Sequence, residues 1–144
     1  MRNGTHTNSM SMREWISSEN SIWVEIAVFV LGGAAYGMIE IMFRGYTHWT
    51  MVLTGGACIL TLYILLGWLS ALPLVLGALA GAAIITAYEF AVGCIVNLKL
   101  GWHVWDYSSM EGNILGQICP LFSAAWFLLC FLFLGTVRIL SLRF

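Results

Sequence analysis

The sequence predicts an all-α membrane protein, a bundle of four transmembrane helices with a polar loop between the third and fourth. Three observations carry that prediction. Hydrophobic residues make up 60% of the 144-residue chain and charged residues 9%, against roughly 25% charged in an ordinary soluble domain; mean hydropathy is +0.89. The apolar residues fall into four long runs, each near the ~20 residues a helix needs to cross ~30 Å of hydrocarbon. Between the third and fourth runs, Gly101 to Pro120 is rich in polar side chains yet flanked on both sides by apolar sequence.

Residues 1–21 are polar, rich in Ser, Asn and Thr, and read as a tail ahead of a transmembrane domain over 22–144. The first apolar run extends from about Ile22 to Phe43, too long for the core of a cleavable signal peptide. Trp49 to Trp68 forms the second run, bracketed by tryptophans that suit the two interfaces. A turn is expected at Leu69 to Pro73, then a third run from about Leu72 to Leu98, and a fourth from about Ile114 to Val137. Four crossings put both termini on one side, with Arg2, Arg13, Arg138 and Arg143, while the opposite loops hold Arg44 and Lys99. That asymmetry places the termini in the cytoplasm. It also brings the loops around Arg44 to His48 and Lys99 to Asn113 to the same face.

Composition excludes several functions. Six Lys plus Arg against seven Asp plus Glu leave no basic patch to hold a phosphate backbone, so nucleic acid is not an expected partner. Cys58, Cys94, Cys119 and Cys130 lie in apolar runs without C-x-x-C spacing, which suggests buried free thiols and neither a metal site nor a disulfide framework. The chain has no P-loop, no G-x-S-x-G elbow and no Gly-rich dinucleotide fingerprint, so no cofactor is expected and an enzyme is disfavoured.

The polar groups inside the runs are the candidates for chemistry. Gly33, Tyr36, Gly37, Glu40 and Arg44 share a helical stripe, and the Gly33/Gly37 pair permits close helix approach, so Glu40 is expected to face protein. Glu89 lies about nine residues, roughly 13 Å of helix, inside the third run, sharing a face with Ala82, Gly93 and Asn97. An intramembrane carboxylate is costly unless protonated, paired or wetted, and usually marks a pathway. Asn113 and Gln117 are expected to stack at i, i+4 on the fourth helix, where Pro120 would free the Gly116 carbonyl. Thr50, Thr54, Cys58 and Thr61 draw a weakly polar line along the second. Together these predict a half-membrane vestibule lined by Glu40, Arg44, His48, Glu89, Asn97, Asp106, Asn113 and Gln117.

Blander readings stand beside this one. Glu40 and Arg44 suit a plain i, i+4 ion pair, His48 and His103 suit interfacial hydrogen bonding, and Trp102 and Trp105 suit an aromatic belt. Asp106 suits a cap or a loop turn. Glu89 alone also suits a bond between neighbouring helices.

RGYTHWTM (Arg44 to Met51), ITAYEFAVG (Ile85 to Gly93), VNLKLGWHVWDYS (Val96 to Ser108) and GNILGQICP (Gly112 to Pro120) resemble the bacterial membrane-protein family described as putative ABC-transporter permeases, type IV, CmpB-like. The resemblance covers roughly Gly37 to Trp126 and places Trp105, Tyr107, Gly116 and Cys119 at motif positions, alongside Glu40, Arg44, His48, Glu89, Asp106 and Asn113. It implies a multi-pass protein of the bacterial inner membrane, in contact with lipid, that forms a homo-oligomer or joins a separate ATPase subunit. No catalytic role comes with it. The expected function is a permease-like subunit handling a small polar or cationic solute; the alternatives are an accessory subunit that docks a partner and a membrane enzyme acting on lipid or peptide.

Overall fold

Apolar sequence with little local punctuation builds long helices. The computed structural model describes residues 12–141, with side chains from 21 to 140. Helix α1 runs Met12–Arg44, α2 Trp49–Ile64, α3 Leu66–Ala71, α4 Leu74–Gly93 and α5 Pro120–Ser141. A π-helical turn, Cys94–Lys99, extends α4. Among the described residues there is no strand, only an isolated bridge of Ile114 with Ile118. Among the described residues, three helical segments are long and apolar enough to cross a membrane: Ser21–Arg44, Leu74–Lys99 and Pro120–Leu140. Helix α2 is a shorter apolar helix.

The first turns of α1 occupy part of the segment expected as a polar tail; residues 1–11 lie outside the described residues. Gly45, at a φ of +78° that glycine adopts without strain, stops α1 one residue past Arg44. His48 then caps α2, its Nδ1 accepting from the Thr50 backbone N–H at 3.4 Å. The hairpin closes tightly because glycines meet across it. A Cβ on Gly33 would lie 2.6 Å from the Val52 carbonyl oxygen, and one on Gly55 would lie 2.2 Å from the Tyr36 Cβ. Backbones approach that closely only where one side lacks a side chain.

Helices α2 and α3 are nearly continuous, since Leu65 N–H donates to the Thr61 carbonyl at 3.0 Å and Leu69 N–H to the Leu65 carbonyl at 2.9 Å. The turn expected at Leu69 to Pro73 is therefore shorter, reduced to Leu72 and Pro73. Arg138 of α5 secures it by donating to the carbonyls of Ser70 and Leu72. Gly77 of α4 packs on the Leu69 carbonyl and Gly81 on the Cys130 sulfur. Helix α1 pairs with α2 and α4 with α5, and the two pairs join where α2 meets α4.

The fourth long helix corrects the sequence expectation. It starts at Pro120, not Ile114, so Asn113 and Gln117 do not stack on a helix face. The Asn113 side chain takes the Gly116 N–H at 2.9 Å, a local bond that competes with helix formation. Leu115 and Gly116 both have positive φ, 54° and 70°. Nor is the Gly116 carbonyl left free, because it accepts the Tyr107 N–H at 2.8 Å. Pro120 is instead the first helical residue, a place where its missing N–H costs nothing.

Candidate functional site

Glu89 faces inward from α4 and is only 2% exposed. Its Oε1 accepts from the Tyr36 hydroxyl of α1 and its Oε2 from the Trp126 indole N–H of α5, each at 2.9 Å. The two rings stack, centroids 5.6 Å apart and planes 23° from parallel. One carboxylate thus ties three helices together. Tyr36 reaches it because Gly55 gives its ring room against α2.

One turn beyond Tyr36, Glu40 forms an ion pair with Arg44. Arg44 Nη1 also donates to the Val104 carbonyl at 3.0 Å, while its guanidinium sits 5.1 Å from the Tyr46 ring centre. The predicted meeting of the two loops on one face is this contact. Arg44 Nε and Thr47 Oγ1 are inaccessible and have no hydrogen-bond partner among the described residues.

Val104 joins that pair to a third cluster, since its N–H donates to Asn97 Oδ1 at 2.7 Å. Asn97 Nδ2 in turn donates to Gln117 Oε1 at 2.8 Å, and the Trp105 indole N–H to the Gln117 carbonyl at 2.9 Å. The π-helical turn places Asn97 here, with Leu100 N–H reaching back to the Ile95 carbonyl at 2.9 Å. Gly93 makes room, for a Cβ there would lie 2.6 Å from Gln117 Oε1 and 2.9 Å from the Trp105 ring. Trp105 is buried and so does not suit an aromatic belt, whereas Trp102 is exposed, its ring 5.8 Å from that of His48.

The remaining candidates turn away from this centre. Asp106 is exposed, and its Oδ1 accepts the Ser108 N–H at 2.8 Å, a bond that holds its carboxyl below the usual aspartate range. Asn113 turns into its own loop, donating to the carbonyls of Met110 and Ser108. His48 stays at the start of α2. Gly116 is required where it stands, as a Cβ would lie 2.8 Å from Asp106 Oδ1. Tyr107 stacks on Phe122 at 4.8 Å, and burial pushes its phenol above the ordinary tyrosine range. Cys119 is a buried free thiol, as are Cys58 and Cys130.

Two sizeable cavities are apolar. One of about 820 Å³ lies between α4, the loop and α5, beside Ala83, Thr86, Ala87 and Ser123. The other, about 480 Å³, lies among α1, α2, α4 and α5, with Tyr36 and Trp126 in its wall. None of the residues expected to line a vestibule borders either cavity.

Sequence reasoning missed Trp126, Tyr36 as a ligand, and the Val104 peptide. Trp126 carried a clue: a tryptophan six residues inside a span needs an acceptor for its N–H where no water is at hand. Comparison with curated proteins and with solved structures gave no match. The family model described as putative ABC-transporter type IV matches residues 29–144, from the second half of α1 through α5, and the chain belongs to that family.

Proposed function

We propose that this chain is the membrane-embedded subunit of an ABC-type transport assembly, working with a separate ATPase, in which Glu89 receives a small polar or cationic solute. The observation that carries this reading is the company Glu89 keeps. Its two oxygens are held by neutral donors from α1 and α5, and the ion pair in its neighbourhood is the separate one of Glu40 with Arg44. A carboxylate inside the hydrocarbon that is positioned but not neutralised keeps its capacity for a cation or a proton. Entry is from the loop side, past His48, Asp106 and Asn113 at the rim, then Arg44, Glu40, Asn97 and Gln117.

In this reading α2 and α3 together make a fourth crossing. From Trp49 to Ala71 the near-continuous helix would measure about 34 Å at ~1.5 Å per residue, enough for the ~30 Å hydrocarbon layer. The protein then sits in the bacterial inner membrane with both termini cytoplasmic. Residues 1–144 carry no P-loop, and in this reading ATP hydrolysis is assigned to a separate subunit.

The test is purification of the tagged chain from native membranes in mild detergent. An ATPase subunit should accompany it, and Glu89→Gln should retain that partner while solute-stimulated ATP hydrolysis falls to background. Recovery of the chain without an ATPase refutes the assembly, and undiminished stimulation in the variant refutes the role of Glu89. The closed network of Asn97, Gln117, Val104 and Trp105 favours one second reading, an accessory subunit whose rigid loop docks a partner. Partner loss in Asn97→Ala, with Glu89→Gln unaffected in stimulation, would select it.

A further inference from the structure

The two helix pairs leave a gap that the hydrogen bonds do not explain. Among the described residues, no Cα atom of α1 comes within 8 Å of one in α5. The stacked rings of Tyr36 and Trp126 bridge the gap at one level. Alongside them lies the 480 Å³ cavity, walled by Ala35, Cys58, Ile85 and Cys130 and edged by Leu31, Leu129 and Phe133. Those three edge residues are exposed, Leu31 at 69%, so the cavity opens sideways between membrane-spanning helices.

Its shape limits what fits. The α1 residues that line it run from Val28 to Ile39, about 16 Å of helix at ~1.5 Å per residue. The cavity walls are hydrocarbon, which a polar solute would not wet, and its mouth faces the bilayer, where acyl chains are the material at hand. The total volume is that of an ordinary small-ligand site, ~300–1,000 Å³. A single hydrocarbon chain meets both conditions.

We infer that this cavity is a binding site for one acyl chain, entering from the bilayer between α1 and α5 and lying against the rings of Tyr36 and Trp126. Because those rings hold Glu89 by their polar edges, the chain that fills the cavity sets the position of the Glu89 ligands. The inference does not depend on a solute binding at Glu89.

The experiment uses the full chain in nanodiscs of unlabelled phospholipid, doped with a phospholipid carrying a photoactivatable diazirine at the end of one acyl chain. A parallel sample carries the same group on a free fatty acid, which distinguishes a resident lipid from a free acid. After illumination, adducts are mapped by mass spectrometry. Cys58, Trp126 and Cys130 should be modified several-fold more than Val75 and Leu132, whose side chains are exposed on outer faces. Leu129→Trp, at the mouth, should reduce the cavity adducts several-fold while leaving those at Val75 unchanged, and Leu31→Trp on the opposite wall serves if the first variant fails to fold. Equal modification at Val75 and at the cavity, or cavity adducts indifferent to both mouth variants, would overturn the site. So would protein crosslinks from a second polypeptide seated against Cys130 in native membranes.

Discussion

Glu40 meets its partner within its own helix, Arg44 one turn on, whereas Glu89 is served by donors from two other helices, Tyr36 of α1 and Trp126 of α5. Glu40 lies close to the end of its helix, and its pair can be satisfied before any tertiary structure exists. Glu89 sits in the middle of a span and acquires its bonds only when three helices have come together. The difference separates a charge that rides on a helix from one that depends on the bundle. The first is replaceable by another polar residue at modest cost; the second reports assembly.

The comparison breaks most visibly at Glu89. Glu89→Ala leaves the Tyr36 hydroxyl and the Trp126 N–H without an acceptor where water is excluded, each such loss costing ~1–3 kcal/mol. We expect a total of roughly 2–6 kcal/mol on the same scale, read as a lowered unfolding midpoint in detergent. Glu89→Gln retains an amide oxygen for one donor and should lose about half as much. Equal midpoints for wild type and Glu89→Ala would mean that the triad does not hold the helices.

Gly93→Ala tests whether the loop is packed onto the end of α4 as tightly as Glu89 is packed among the helices. In an isolated helix this change stabilises by ~0.5–1 kcal/mol. Here the new Cβ would meet Gln117 Oε1 at 2.6 Å and the Trp105 ring at 2.9 Å, and overpacking costs typically ~1–3 kcal/mol. The sign decides. Net destabilisation, with faster amide hydrogen exchange across residues 102–118, is expected; stabilisation would show that the loop yields freely.

How much of this was legible in the sequence follows the same division. The stripe of Gly33, Tyr36, Gly37 and Glu40 was readable because helical periodicity and small-residue spacing are local rules; the first three are buried and Glu40 is half-buried. The contact of the Arg44 and Val104 loops followed from topology alone. The start of the fourth helix was not readable from hydropathy, since Ile114, Leu115 and Ile118 are apolar although the backbone there forms turns. What decides the boundary is the Asn113 side chain capturing the Gly116 N–H, a bond that competes with the helix and leaves no mark on hydropathy. Likewise Asn97, Asn113 and Gln117 read as one polar group, but only two of them meet, with the π-helical turn on one side of that contact. That turn carries Asn97 inward to Gln117, while Asn113 stays with its own loop.

The smallest expected effect lies at Glu40. Glu40→Gln removes the ion pair, yet the amide oxygen still accepts from Arg44, which keeps the Val104 carbonyl and its place over the Tyr46 ring. A partly exposed pair on one helix contributes ~0.2–1 kcal/mol, so a shift of about that size is expected, shrinking further as ionic strength rises. Double-mutant cycles sharpen the contrast. Glu40→Gln combined with Arg44→Gln should yield a coupling of the same small size, whereas Glu89→Ala combined with Trp126→Phe should be strongly non-additive, because the first change already strands the indole N–H that the second removes. If the coupling at Glu40 proved the larger, the ion pair would be the element that joins the two loops, and Glu89 would be a bystander held in place by helix packing alone.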